Sequence, residues 1–277
     1  METKEIELQS EVNRKRLMEI VYHGKAGHIG GDLSCLNVLT ALYFDVMKTF
    51  PHDITNPSRD RLVMSKGHCV EALYATLESK GYFDKTLTDT LGQFGSPLAG
   101  HPTIEVPGIE VNSGALGHGL SIGVGMSLAA KMDDKTYKTY VVMGDGEQGE
   151  GSIYEAAMAA NQYHLDNLVA IIDRNGLQIS GTTEQVMSLG DIRQRWEAFG
   201  WDVKDMNGDD MEDIIKTFHE IDYQNHAPHL LISHTTKGKG VSYMENKASW
   251  HHGVPTKEQY EEAIKEINQR IATLKTK

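Results

Sequence analysis

"VVMGDGEQGEG", Val141 to Gly151, decides how this chain is read. It carries the spacing G-x-G-x-x-G at Gly144, Gly146 and Gly149. The apolar run Tyr140 to Met143 precedes the loop and reads as a buried strand, and Ser152 to Ala160 follows as a helix. Strand, glycine turn and helix in that order are the fingerprint of a dinucleotide-binding loop, and Asp173 ends the next apolar run as a ribose-binding acid would. Three carboxylates in the loop, Asp145, Glu147 and Glu150, argue against that reading. A carboxylate about 4 Å from a phosphate costs on the order of 4 kcal/mol at an effective dielectric of about 20. The helix dipole contributes only about 0.3–1 kcal/mol in return. The loop makes physical sense if a divalent cation stands between carboxylate and diphosphate, because hard cations combine one or two protein oxygens with phosphate oxygens and water.

The next strand supplies a second ligand. "NLVAIID" returns after one helix and ends at Asp173-Arg174-Asn175. Right-handed crossovers set the carboxyl ends of such strands side by side, at the rim where open α/β sheets bind ligands. Asn175 then lands beside Asp145 and offers a neutral hard oxygen. Gly176 lets the chain turn, so the Leu177 carbonyl can join.

Composition narrows the rest. The chain has 277 residues and a net charge of -12, which disfavours nucleic acid and anionic membrane surfaces as partners. An anionic small ligand then needs local positive charge or a cation. The start "METKEIELQS" lacks signal-peptide character, and no apolar run is long enough to span a bilayer. Cys35 and Cys69 have no metal-binding spacing and read as buried reduced thiols, so a cytoplasmic location is expected.

Along the chain, helices are expected over about Ser10 to Gly24, from a cap at Asp32 or Ser34 to about Lys48, after "KGHC", and from "SGALGHG" to about Lys131. Later helices are expected near Ile153, over Asp191 to Phe199, over "DDMEDIIKTFHE" and over Lys257 to Lys275, the last packed on the surface. "DRLVMS", "KTYVVMG", "NLVAIIDR", "WDVKDM" and "HLLISHT" read as strands. Nearly continuous apolar strands alternating with helices predict an α/β fold, a mostly parallel central sheet with helices on both faces. Thr88 to Asn112 reads as a long, functional loop. No linker or repeat interrupts the chain, so residues 1–277 are expected to form one domain.

"GDGEQGEG" followed by "NLVAIIDRNGLQISG" resembles the GDG…N motif of thiamine-diphosphate enzymes. "GKAGHIGGDLS", "LVMSKGHCVEALYA", "LAGHPT", "VNSGALGHGLSIGVGMSLA" and "TTKGKGVSYMENKASWHHGVP" resemble, in order, further motifs of transketolases. The likeness spans roughly Asn13 to Pro255 and is to the first part of that family only. It therefore implies the N-terminal, diphosphate-binding subunit of a split transketolase, which transfers a two-carbon ketol unit from a ketose to an aldose. The pyrimidine-binding and C-terminal domains would lie on a separate partner chain, in an α2β2 heterotetramer acting on sugar phosphates such as those of the pentose phosphate route.

The resemblance also implies residue roles. Asp145, Asn175 and the Leu177 carbonyl would ligate Mg²⁺ or Ca²⁺, and Gly144 and Gly146 would present backbone N–H groups to the diphosphate. Gly114, Ala115 and Leu116 match a cofactor-contacting loop, and Glu150 matches an interface glutamate. His28, His68, His101 and His252 would line the channel over the cofactor, where imidazole can donate or accept near neutral pH. Of the adjacent pair His251 and His252, one is expected to face inward, and the motif favours His252. Ile29 and His118 depart from the family pattern and are expected to border the site. A zinc site made of these histidines is not expected from their spacing. The rival readings are the α subunit of a 2-oxo acid dehydrogenase, a deoxyxylulose-phosphate-synthase-like enzyme, a non-catalytic scaffold and a nicotinamide oxidoreductase.

Overall fold

Seven strands form in this computed structural model, which describes residues 1–276: β1 (Arg61–Met64), β2 (Thr139–Gly144), β3 (Leu168–Arg174), β4 (Leu177–Gln178), β5 (Gly181–Thr182), β6 (Asp202–Asn207) and β7 (His229–His234). Five of them make one parallel sheet in the order β1-β2-β3-β7-β6. β4 and β5 pair antiparallel as a small separate hairpin that the sequence did not announce. The helices are α1 (Thr3–Gly24), α2 (Ile29–Ala41), α3 (Val70–Lys80), α4 (Lys85–Thr88), α5 (Gly119–Met132), α6 (Gly151–Gln162), α7 (Thr183–Val186), α8 (Ile192–Ala198), α9 (Met211–His219) and α10 (Lys257–Thr276).

The two-residue period of the strands divides the core in two. Leu62, Met64, Tyr140, Val142, Val169, Ile171 and Leu231 pack with apolar residues of α1, α2, α3, α9 and α10. Val63, Val141, Met143, Leu168, Ala170, Ile172, Leu230 and Ile232 pack on the other face with α5, α6 and α8. Both faces are covered, as the uninterrupted apolar strands predict. Truncating a fully buried residue such as Ile172 to alanine is expected to cost about 2–5 kcal/mol.

Several boundaries differ from the sequence reading. α1 starts at Thr3 rather than Ser10, because the Glu5 carboxylate accepts the Glu2 N–H at 3.0 Å and closes the first turn. α2 starts at Ile29, with His28 at its cap position, so Asp32 and Ser34 lie inside the helix rather than capping it. Their side chains serve tertiary contacts instead: Asp32 accepts the Ala72 N–H and Ser34 donates to Asp173. α2 ends at Ala41 and a wider turn, Leu42–Val46, carries the chain onward, short of the expected Lys48. α10 packs along α1. Both cysteines are free and buried. Among the described residues no helix is long and apolar enough to cross a membrane.

Candidate functional site

The carboxyl edge of the sheet gathers the chemistry. β2 and β3 are paired in register up to Gly144 opposite Asp173, so Asp145 and Asn175 emerge at neighbouring positions. β1 leads into Ser65-Lys66-Gly67-His68, and β7 leads on to Lys237. The N-terminus of α2 brings His28 to the same edge. A cavity of about 470 Å³ opens there, within the usual range for small-ligand sites. Its walls include Asp145, Asn175, Leu177, Gly144, Gly146, Gly114, Leu116, Glu150, His28, His68 and His101.

Asp145 is buried, and one carboxylate oxygen accepts the Gly146 N–H at 2.7 Å while the other accepts the Gly176 N–H at 2.6 Å. Arg174 also reaches it at 3.3 Å. Burial, followed by the nearby Asp173 charge, pushes the Asp145 carboxyl above the usual range. Asn175 donates to Asp173 at 3.1 Å, and its carbonyl accepts the Leu177 N–H at 3.1 Å. Gly176 adopts φ +77°, the left-handed turn that aims its N–H back at Asp145.

The other two loop carboxylates have different fates. Glu147 is buried; it takes hydrogen bonds from Ser65, from the Gly117 N–H at 2.8 Å and from the Gly144 N–H at 2.9 Å. It clamps the glycine loop to the segments after β1 and before α5. Glu150 stays exposed on the cavity wall. Asp173, which the dinucleotide fingerprint would aim at a ribose, is instead buried among Lys66, Ser34, Thr235 and Asn175. It has no face left for a ribose.

The donor set suits a hard cation and a diphosphate. One carboxylate, one amide oxygen and one backbone carbonyl share the rim, and Asp145 Oδ1, the Asn175 side-chain oxygen and the Leu177 carbonyl each keep a lone pair beyond their present bond. A Cβ built on Gly144 would meet nothing closer than 3.9 Å, so this backbone stands open to the cavity. Two buried ammonium groups, Lys66 and Lys237, add positive charge to the wall. Lys66 is held by Asp173 and the Gly31 carbonyl. Burial is the largest single influence and lowers its pKa, but the negative groups around it, Asp173 first, together push it well above the usual lysine value. Lys237 bonds the Leu177 carbonyl at 3.3 Å and His251 Nδ1 at 2.9 Å; burial and then Lys66 pull its pKa down. Among the described residues no cluster of three or more His, Cys, Asp or Glu is arranged to hold a metal. The rim set of Asp145, Asn175 and Leu177 contains one such residue and does not depend on a cluster of them.

The four predicted histidines converge. The ring of His28 lies 5.2 Å from that of His68, 6.3 Å from His101 and 4.8 Å from His252. His251 is there too, 5.8 Å from His28 and stacked 5.3 Å from His68. The expectation that only His252 turns inward needs correcting. His251 is half-buried and lines the cavity, while His252 is exposed beside His28. The reason is the Lys237 ammonium, which carries only donors and so needs His251 Nδ1 as acceptor. Burial, then Lys237, lowers the His251 pKa to about 3, and burial, then His68, lowers that of His28 to about 4. Both rings are neutral near pH 7. His101 is shifted the same way by burial.

Three further expectations change. Ala115 is exposed and lies off the cavity wall, although its neighbours Gly114 and Leu116 are on it. Ile29 is fully buried in the apolar core rather than bordering the site, because it opens α2 on its inner face. His118 is exposed off the wall, with Nδ1 3.1 Å from the Leu116 carbonyl. Sequence reasoning assigned no role to Lys66, Glu147, Gln178 or Lys237, all cavity-lining. The lysines had a signal: each immediately precedes a glycine in a quoted motif, "SKGH" and "TTKGKG".

Residues 8–272 match the family described as "Transketolase, thiamine diphosphate binding domain". The chain is 75% identical over 274 residues to an apulose-4-phosphate transketolase subunit of Phocaeicola vulgatus, covering 99% of this chain and 98% of that one. It is 40% identical over 275 residues to a 6-deoxy-6-sulfo-D-fructose transketolase subunit of Clostridium sp., covering 98% of this chain and 100% of that one. The solved transketolase from Leishmania mexicana superposes with a TM-score of 0.86 at 27% identity, over 100% of this chain. This chain spans 45% of that longer one.

Proposed function

We infer the function from one premise: the chain belongs to the family of transketolase thiamine-diphosphate-binding domains. It is the N-terminal subunit of a two-component transketolase, an enzyme that moves a two-carbon ketol unit from a ketose to an aldose. Two relatives, matched over 98% and 100% of their own length, are named as transketolase subunits, which supports a two-component enzyme. The observation that carries the reading is the convergence of Asp145, Asn175, Leu177 and the histidine ring on one cavity.

Thiamine diphosphate, when bound, supplies the electron sink that ketol transfer needs. The chain's residues supply anchoring and polar contacts. Asp145, Asn175 and the Leu177 carbonyl would hold a Mg²⁺ or Ca²⁺ ion that bridges to the diphosphate. The N–H groups of Gly144 and Gly146, expected to serve the diphosphate, are taken by Glu147 and Asp145, so these glycines would serve it by keeping that wall free of side chains, and Lys66 and Lys237 would offset its charge. Neutral His28 and His251, with His68, His101 and His252, would donate to and accept from the hydroxyl and carbonyl groups of a sugar in the channel. Glu150, exposed on the wall, would meet a second chain. The residues that complete the site would come from a C-terminal, pyrimidine-binding subunit in an α2β2 heterotetramer.

The donor is proposed to be a branched ketose phosphate of the apulose 4-phosphate type, on the strength of the 75% identity to a relative so named. The test is coupled-assay turnover of apulose 4-phosphate, a sulfo-ketose and a linear pentulose phosphate, by the chain with and without its C-terminal partner. Turnover needing both chains and thiamine diphosphate is expected, fastest with the branched sugar. Full turnover by the chain alone would reject the two-component reading.

A further inference from the structure

Behind the histidine ring sit two acids that do not reach the cavity. Asp32 lies one turn after His28 in α2, and its N–H bonds the His28 carbonyl at 3.1 Å. Glu71 lies three residues after His68, in the first turn of α3. Both are essentially fully buried. Asp32 Oδ1 accepts the Ala72 N–H at 2.9 Å and so ties the start of α3 to α2. Asp32 Oδ2 and Glu71 Oε2 have no other partner among the described residues, and the two carboxyl groups lie within hydrogen-bonding reach of each other.

Two adjacent buried carboxylates with no cation between them cannot both stay ionised. One proton removes the conflict: the protonated carboxyl donates O–H to the other and satisfies both orphan oxygens. We propose that Asp32 and Glu71 form a proton-sharing carboxyl pair that locks the His28 and His68 turns in register, and thus act as positioning residues for the site.

Burial is also the leading cause that lifts the pKa of Glu71 to about 8 and raises that of Asp32. The ionisable groups facing the pair are Lys66 and Cys69 from the turn before α3 and Tyr74 from α3, and the cap of α2 meets Glu71 through the His28 backbone. The buried cations of α1, Arg14 and Arg16, are engaged elsewhere, by Glu11 and by Glu78 with Asp89. His251 and Lys237 lie beyond Gly30 and Gly31. With its pKa raised, the folded state holds the proton more tightly than the unfolded chain, so stability falls as pH rises from about 4.5 to about 8.

The test compares the full chain with Glu71→Gln, whose amide donates to Asp32 at every pH. The wild-type melting temperature is expected to drop by about 5 °C or more between pH 6 and pH 9, and the variant's to stay level. In the complex with the partner chain, the alkaline limb of kcat/KM for ketol transfer should move upward in the variant. That second arm rests on the proposed function and the first does not, so a chain without ketol transfer leaves the melting result interpretable. A Glu71→Gln chain that loses as much stability at pH 9 as wild type overturns the proposal. If that variant does not fold, Asp32→Asn, whose amide donates to Glu71, is read by the same two outcomes.

Discussion

The Asp145 carboxylate accepts the backbone N–H of Gly176 at 2.6 Å, across thirty-one positions of sequence. One hydrogen bond thereby joins the ends of β2 and β3 and holds Asn175 and the Leu177 carbonyl at the rim. An acid that looked hostile to a phosphate is the hinge of the site.

Asp145→Asn keeps the size and one acceptor but removes the charge. Thiamine diphosphate with Mg²⁺ at about a hundredfold excess over Kd should raise the melting temperature of the native chain by about 5–10 °C. The variant should show almost none of that shift in differential scanning fluorimetry, while NAD shifts neither protein.

His251 and His252 are separable. His251→Ala breaks the Lys237 contact and should weaken cofactor binding, seen as a higher apparent Kd in calorimetry. His252→Ala leaves that contact alone and should lower kcat/KM for the donor by roughly 10²-fold, the size of a lost polar contact to the reacting sugar. Equal effects of the two on both measurements would contradict the assignment.

Asp173→Ala strands the Lys66 ammonium, which is 2% exposed and otherwise meets only the Gly31 carbonyl. A loss of about 3–5 kcal/mol in urea unfolding is expected. Lys66→Met combined with Asp173→Leu should recover much of that stability and none of the cofactor binding.

Acid should destabilise the fold through the neutral histidines. An unfolded histidine protonates near pH 6.5, whereas His28 and His251 resist until about 4 and about 3. The unfolded chain binds more protons between those values, so the contribution of these two histidines is complete above about pH 6.5 and is lost as pH falls toward 4, opposite in sign to that of Glu71. The double variant His28→Gln with His251→Gln should show a shallower decline of melting temperature between pH 6.5 and pH 4.5.

The sequence by itself determined the parallel sheet with two covered faces, because strand period and helix period are local properties of ten or so residues. It also determined the rim partners Asp145 and Asn175, since one strand–helix–strand unit fixes that spacing. The histidine turns were legible from their glycine borders. The ends of α1 and α2 were not, because Glu5, Asp32 and Ser34 suit both a helix cap and a tertiary contact, and sequence alone does not choose between them. Only the tertiary structure decided that Ile29 turns to the core, that His251 meets Lys237, that Lys66 pairs with Asp173 across 107 positions, and that Asp32 reaches Ala72 across 40. Such pairs depend on where separate helices and strands come to rest against one another, and buried charge with no water must find its partner there.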